Sequence, residues 1–392
     1  MAASRPHIQK IELLMFIVAL LLFVLASAYV FIRGWQALPA MRSVRVIYTT
    51  LFAFLTFGYI LAFMLRKSLP EWFTGFTSIT GPTWMIAILY LFMAVLLIDL
   101  LRLANHWLHF FPSWVTASYA KTKLITFLSV IGVISFLFLW GYYKFSHPVV
   151  NKLEVRVHKP AAGGKKELRI VMASDLHLGS IIGSGRLAKF VELINAQQPD
   201  IVLLAGDIVD GDIRPVIAKN MHEKLQQLQA PMGVYAVLGN HEYIGTYSGE
   251  KMSTTLDYLR KSGIQILQDE ALDIGENLTL VGRDDRSNRN RKELRELTDS
   301  LNRQRAIVLL DHQPYHLEQA EECDIDLMLC GHTHNGQIWP ISWVVGRMYE
   351  VAQGYKQKGN THIYVSAGLG LWGPPFRIGT ESELLVVTLV FD

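Results

Sequence analysis

The sequence has 392 residues, of which 51% are apolar and 18% are charged. This apolar fraction is too high for an ordinary soluble protein of one or two domains, so the composition excludes a wholly soluble enzyme. The formal net charge of +3 is too small to indicate nucleic-acid binding.

Four apolar runs between residues 11 and 143 account for the excess, and each is long enough to cross a membrane, which takes about 20 helical residues. The first run is longer than the apolar part of a signal peptide and three more follow, so we interpret it as an anchor. The chain is therefore predicted to be a multi-pass protein of the cell membrane, inner or plasma. The predicted spans are residues 11–32, 44–65, 83–104 and 123–143.

An even number of spans puts the amino terminus and the residues after 145 on the same side of the membrane. The short flanks on that side and the loops on the other side carry equal numbers of basic residues, so the positive-inside rule predicts neither orientation. Asp99 falls near a span end, where a carboxylate is readily solvated, and we expect it to have no transport role.

The composition changes after residue 145 to a connecting segment that contains two prolines, a Gly-Gly pair and several lysines. Within it, "KLEVRV" alternates like a short strand and predicts that the soluble part begins near Asn151. We therefore predict a membrane domain at residues 1–145, a linker with a first strand at 146–166 and a catalytic domain at 167–392.

The catalytic domain is predicted to alternate short apolar strands with helices. One helix-like stretch, "GRLAKFVELINAQQP", has apolar residues at helical spacing and stops before Pro199. Strands buried on both faces with helices between them indicate an α/β layered domain, in which ligands bind outside the carboxyl ends of the strands. The strands read "LRIVMASDLH", "DIVLLAGDIVD", "GVYAVLGNHE", "AIVLLDHQP", "DLMLCGHTH" and "HIYVSAGLG".

Polar residues stand at the ends of five of these strands, and all are oxygen or imidazole donors. A single pair such as His332 and His334 could be an exposed turn, but five strand ends with such residues indicate a site for two divalent transition ions. Gly206, Gly239 and Gly331 each precede a polar residue, where the missing side chain allows close approach of the backbone. The eight residues are Asp175, His177, Asp207, Asn240, His241, His312, His332 and His334.

The ordered motifs "DLH", "GDIVD", "GNHE", "DHQP" and "GHTH" together resemble those of the calcineurin-like metallophosphoesterases, over residues 167–392. The later stretch "YVSAGLGLWGPPFRIGTESELLVVTL" resembles the membrane-anchored branch of that family, with Gly368, Gly370, Arg377 and Glu383 as its recurring residues. Asn335 departs from the glycine common in that branch. The resemblance implies an α-helical transmembrane bundle followed by a layered α-β-β-α domain with mixed sheets.

The resemblance also implies roles for the polar residues. One metal would be held by Asp175, His177, Asp207 and His334. Asp207 would bridge to a second metal, which Asn240, His312 and His332 would also hold. His241 would bind no metal and would stabilise the transition state or protonate the leaving oxygen. Manganese is the first expectation, with iron, zinc or cobalt as alternatives, because magnesium suits so many imidazoles poorly.

The implied activity is hydrolysis of a phosphomonoester, phosphodiester or pyrophosphate. The membrane spans favour a lipid or lipid-linked substrate, and cleavage of a UDP-2,3-diacylglucosamine-type pyrophosphate, known in the wider family, is the specific candidate. A non-catalytic membrane sensor or scaffold with a structural metal site is the alternative. Arg377 is either a substrate contact or the partner of Glu383 in an ion pair. No nucleic-acid partner is expected, and the sequence does not predict the oligomeric state.

Overall fold

The computed structural model describes residues 5–64, 70–161, 163, 165–247 and 251–392. The chain divides into two compact units, Met1–Leu139 and Trp140–Asp392. The division falls inside a helix, because the last residues of that helix pack with the second unit.

The described elements of the first unit are all helices, the last of which continues into the second unit. Three of the described helices are long and apolar enough to cross a membrane. These candidate spans are Ile17–Ala37, Gly75–Leu108 and Tyr119–Ser146, and they overlap the first, third and fourth predicted spans. The second predicted span overlaps α2, but residues 65–69 lie outside the described part of the chain, so that span stays a prediction. The helices are α1 (Arg5–Ala37), α2 (Arg42–Met64), α3 (Glu71–Leu108), α4 (Ser113–Ala117) and α5 (Tyr119–Ser146).

Asp99 lies on α3 and is neutralised by neighbouring cations. Its carboxylate is 2.6 Å from the guanidinium of Arg33 and 3.0 Å from that of Arg102, and it accepts a hydrogen bond from the Tyr29 hydroxyl. These contacts fit the structural role expected for an acid near the end of a span.

The described residues of the second unit form two six-stranded sheets and short helices. Its strands are β1 (Val149–Val157), β2 (Glu167–Ala173), β3 (Ile201–Ala205), β4 (Val234–Val237), β5 (Gln265–Ile266), β6 (Glu270–Ile274), β7 (Leu278–Gly282), β8 (Ala306–Leu310), β9 (Leu327–Cys330), β10 (Gly354–Lys358), β11 (Thr361–Val365) and β12 (Glu383–Phe391). Its helices are α6 (Ser184–Asn195), α7 (Arg214–Ala218), α8 (His222–Leu225), α9 (Asn240–Tyr247), α10 (Met252–Lys261), α11 (Leu294–Thr298), α12 (Glu318–Glu322) and α13 (Ile341–Met348).

Both sheets are mixed, as the sequence predicts. The first has the order β1-β12-β2-β3-β4-β5, with only the β12–β2 pair antiparallel. The second has the order β10-β11-β9-β8-β7-β6, in which parallel pairs are flanked by an antiparallel pair at each edge. β12 lies between β1 and β2, so residues far apart in the chain complete the first sheet.

Three apolar clusters give the unit its layers. One lies between the sheets and contains residues such as Ile170, Leu203 and Val308. Another joins α6 and α10 to the outer face of the first sheet, and a third joins α11 and α12 to the outer face of the second. The predicted α-β-β-α arrangement is confirmed.

Helix α6 connects the parallel strands β2 and β3 and covers the first sheet. Leu187, Phe190, Val191 and Ile194 lie on one face because they recur at helical spacing, and all four are buried. The exposed Lys189 is on the opposite face.

Replacing Phe190 by alanine should lower the free energy of unfolding of the second unit by about 3 to 5 kcal/mol, since a fully packed aromatic ring is lost. Cys323 and Cys330 are free thiols buried in this unit, so the rate of thiol labelling in increasing urea reports its unfolding within the full chain. Lys189→Ala is the matched control and should leave the urea midpoint unchanged. A Phe190→Ala midpoint equal to that of the control would contradict the packing described.

Candidate metal centre

The eight polar residues that follow the strands meet at one edge of the second unit. Asp175 and His177 follow β2, Asp207 follows β3, and Asn240 and His241 begin α9 after β4. From the second sheet, His312 follows β8, and His332 and His334 follow β9. The carboxyl ends of strands from both sheets therefore build one site, as expected for layered α/β domains.

The first group of donors consists of Asp175, His177 and His334, all buried. The Nε2 atom of His334 is 3.4 Å from a carboxylate oxygen of Asp175 and 3.0 Å from the Nε2 atom of His177. Three donors from β2 and β9 thus converge on one small volume.

The second group consists of Asp207, His312 and His332, joined by the side chain of Asn240. The Nε2 atom of His312 is 3.2 Å from Oδ2 of Asp207. The amide oxygen of Asn240 is 2.8 Å from Nδ1 of His332 and 3.3 Å from Nε2 of His312. An amide oxygen directed at two imidazole nitrogens suits a cation between them.

Asp207 lies between the two groups. The Oδ2 atom that faces His312 is also 3.7 Å from Nε2 of His177. One carboxylate therefore reaches both sets of donors, which is the position that a bridging ligand requires.

Two of the histidines are held in the tautomer that carries its proton on Nδ1 and leaves Nε2 to bind a metal. The Nδ1 atom of His312 is 2.7 Å from the carbonyl oxygen of Ala205, and Nδ1 of His177 is 3.2 Å from a carboxylate oxygen of Asp210. A proton on Nδ1 in each ring turns the Nε2 lone pair inward. The carboxylates, the amide and these ring nitrogens form a donor set that fits two divalent ions.

The backbone at the site is in an unusual conformation. Asp175, His177, Asp207, His332 and His334 all have φ between 47° and 75°, the left-handed region that non-glycine residues rarely adopt. Such strain persists only where the surroundings enforce it, and it clusters at functional sites. Gly206 (φ 84°) contributes in another way, because a Cβ there would lie 2.9 Å from Cβ of His312.

Burial and neighbouring charges shift the pKa of the two buried carboxylates, Asp175 and Asp207, in opposite directions. Burial raises the pKa of Asp175, although the charges of His312 and His177 oppose the shift. Burial also acts to raise the pKa of Asp207, but the charge and hydrogen bond of His312 outweigh it and the pKa falls well below its usual value. Asp207 is therefore the carboxylate that is most firmly ionised.

The pKa values of the two histidines in the second group are shifted in opposite directions. Burial would lower the pKa of His312, but Asp207 raises it well above the usual value. Burial and the charge of His312 lower the pKa of His332 to about 4. His332 is thus held neutral, the form in which imidazole binds a metal.

His241 differs from the other imidazoles in its surroundings. Its Nδ1 atom is 3.1 Å from Asp210, and its side chain keeps 15% of its surface exposed. Burial would lower the pKa of His241, but Asp210 and Asp207 raise it. His241 also lies close enough to His177 and Asp207 to form a third group of possible metal donors, so distance alone does not separate it from the ligands.

Arg377 is completely buried and faces the protein interior. Its guanidinium donates hydrogen bonds to the carbonyl oxygens of Ala367 (2.7 Å) and Gly370 (2.6 Å), and one of its nitrogens is 3.5 Å from Nδ1 of His334. Burial lowers its pKa to about 10, while the charges of Asp175 and Glu383 oppose the shift. These contacts favour a role in positioning the Gly-rich loop and His334 over direct contact with substrate.

Sequence reasoning missed two acids that support the site. Asp210 is the last residue of the "GDIVD" motif and contacts both His177 and His241. Glu242, in "GNHE", is buried and accepts hydrogen bonds from the backbone N–H groups of Val209 (2.9 Å) and Gly239 (2.7 Å). Both acids lie within the motifs "GDIVD" and "GNHE", which was the available signal, but His177, His241 and Val209 reach them from other segments of the chain.

Comparison with known proteins gives similarity over nearly the whole length of the chain. The family model described as calcineurin-like phosphoesterase matches residues 168–336. An uncharacterized metallophosphoesterase of Campylobacter jejuni is 31% identical over 382 residues, which are 95% of this chain and 97% of that protein. A protein of Danio rerio described as a transmembrane protein with metallophosphoesterase domain is 27% identical over 98% of this chain and 91% of its own length.

Among solved structures, a dimetal phosphatase from Danio rerio is 12% identical, with a TM-score of 0.37. The similarity covers 57% of this chain and 99% of that one.

Asp207→Ala should remove bound metal from the purified chain, because the variant loses the carboxylate that lies between the two donor groups. The measurement is metal content per chain after loading and desalting. Asp212→Ala is the matched control, since this acid lies in the same loop and pairs with Arg214 instead. Unchanged metal content in Asp207→Ala would contradict the bridging position.

Proposed function

We propose that this chain, which belongs to the calcineurin-like phosphoesterase family, is a membrane-anchored hydrolase that depends on two divalent metal ions. Its substrate is a phosphomonoester, phosphodiester or pyrophosphate of a lipid or lipid-linked molecule. The specific candidate is a pyrophosphate of the UDP-2,3-diacylglucosamine type.

The convergence of seven donors into two groups that share Asp207 carries this proposal. The first metal would be held by Asp175, His177, Asp207 and His334, and the second by Asp207, Asn240, His312 and His332. When bound, two such ions supply positive charge to phosphoryl oxygens and lower the pKa of coordinated water. Manganese is the first choice for a set of carboxylates and imidazoles, and iron, zinc or cobalt are the alternatives.

The chain itself supplies the proton that hydrolysis requires. As the oxygen of water bonds to phosphorus, that water releases a proton to solvent and the bond from phosphorus to the leaving oxygen breaks. The leaving oxygen gains a proton from His241, which regains one from solvent, so no net proton is consumed. The Nδ1 atom of His241 faces Asp210, which leaves Nε2 free to donate a proton to the leaving oxygen. In this role Asp210 orients His241 and also holds His177 for metal binding.

The membrane helices support a lipid or lipid-linked substrate. Three helices of the described chain are candidate spans, and the similarity to the Danio rerio transmembrane protein extends over nearly the whole chain. An anchor keeps the catalytic domain at a high effective concentration near substrates in the same bilayer, which a soluble hydrolase would lack.

Removal of metal should abolish hydrolysis. The full chain in detergent is treated with a chelator, and cleavage of bis(p-nitrophenyl) phosphate is followed by release of p-nitrophenol. Added manganese should restore the rate better than magnesium does. Full activity after exhaustive chelation, with less than one ion per chain, would contradict the two-metal proposal. Retained metal without hydrolysis of any phosphoester tried would favour the non-catalytic sensor or scaffold.

Replacing His241 by alanine should leave metal content intact and lower the rate by about 10² to 10⁴, the usual range for a lost general acid. The loss should shrink when the leaving group is a weak base such as p-nitrophenolate, because that group needs no proton. His316→Ala is the control, since His316 is exposed and lies beside Glu318. Equal losses for good and poor leaving groups would assign His241 to charge stabilisation instead, and loss of metal would make it a ligand.

A further inference from the structure

Exposed apolar side chains cluster directly after the turn that carries His334. Helix α13 has the sequence "ISWVVGRM" and contains no buried residue. Trp343 is 61% exposed and Met348 is 65% exposed. We call this cluster the tryptophan patch, which consists of Trp339, Ile341, Trp343, Val344, Met348 and Trp372.

The patch is continuous with the metal centre. Gly336 lies so close to the start of α13 that a Cβ there would be 2.6 Å from Cα of Ser342. The backbone N–H of Trp372 donates to the side-chain oxygen of Gln337 (3.0 Å), which fixes this tryptophan beside the same turn. The ring of Trp372 is 6.5 Å from the ring of His241, so one end of the patch borders the proposed catalytic histidine.

The composition of the patch is typical of a membrane interface. A short helix gains little stability from its own hydrogen bonds and normally packs its apolar side chains against a core. Here Ile341, Val344 and Met348 point into solvent, and large exposed apolar patches mark interaction surfaces. The guanidinium of Arg347 stacks on Trp343 at 3.6 Å from the ring centroid. Tryptophan and arginine with apolar bodies and polar tips are characteristic of the headgroup region.

The patch lies beside the end of α5, which is a candidate span. The carbonyl oxygen of Gly141 on α5 accepts a hydrogen bond from the backbone N–H of Arg377 (3.0 Å). The next residue, Ile378, accepts a hydrogen bond from the backbone N–H of Trp339 (2.7 Å). Two residues therefore connect the helix end to the patch. Trp140 and Tyr143 of α5 are themselves about half exposed, so the helix end also presents aromatic side chains.

We propose that the tryptophan patch lies on the lipid bilayer that α5 enters, with α13 in the headgroup region. The bilayer is favoured over a second copy of the chain because α5 holds this edge of the unit at the membrane already, so the lipid surface is present at high effective concentration. This contact brings the entrance of the metal centre to the level of the headgroups. Its consequence for hydrolysis rests on the proposed function, but the membrane contact does not.

Nitroxide labels on the full chain in lipid nanodiscs test the contact. Val344→Cys and Met348→Cys should each give a several-fold higher ratio of oxygen to nickel-chelate accessibility than a label in water. Gln304→Cys is the matched exposed control, because Gln304 lies before β8, at the strand edge opposite to the metal centre. The unsubstituted chain, whose two cysteines are buried, gives the labelling background.

Two results would overturn the proposal. Accessibility ratios at Val344→Cys and Met348→Cys equal to that at Gln304→Cys would mean that the patch is in water. Dipolar broadening that disappears on dilution with unlabelled chain would mean that a second copy covers the patch.

Hydrolysis provides a separate measurement. In the double variant Trp343→Ser and Val344→Ser, the rate on a phosphoester embedded in the nanodisc should fall relative to the rate on a soluble diester. An unchanged ratio would contradict the role of the patch in substrate access. If the unsubstituted chain cleaves neither substrate, the proposed function fails, while label accessibility still decides the membrane contact.

Discussion

The carboxylates of Asp175 and Asp207 are buried side by side at the edge where the sheets meet. Their need for partners constrains the surrounding loops. An ionised group that is removed from water needs nearby partners, and a second negative charge beside it raises the free energy of burial further. The backbone N–H of His332 donates to both oxygens of Asp175 at 3.1 Å, and the backbone N–H of His241 donates to Asp207 at 2.8 Å. The imidazoles supply the remaining partners of the two carboxylates. Loops from both sheets are therefore held in strained conformations around the two acids.

The sequence was sufficient to predict the layered fold and the residues that meet at the site, because each polar residue directly follows an apolar strand. A strand and the residues after it can be recognised locally in the sequence. The rule that ligands bind at the carboxyl ends of strands then predicts that these residues share one site. Asp210, Glu242 and the buried position of Arg377 could not be predicted in this way. Their roles depend on contacts between strands, which the local pattern does not encode.

Helix α13 was missed for a different reason. Its eight residues are too few for a predicted span, and their exposure contradicts the assumption that apolar residues belong to a core. The end of the fourth span shows a related effect. Its predicted apolar run ends at residue 143, whereas α5 extends to Ser146 and includes Phe145, which is buried in the core of the second unit.

The position of β1 has a consequence for biosynthesis. This strand follows α5 directly and, among the described strands, is hydrogen-bonded only to β12, in parallel, while β12 in turn pairs with β2. During translation β1 therefore emerges next to the membrane long before residues 383–391 exist, and its unpaired edge must wait for them. Early pairing of residues 149–157 with another chain would prevent closure of the first sheet.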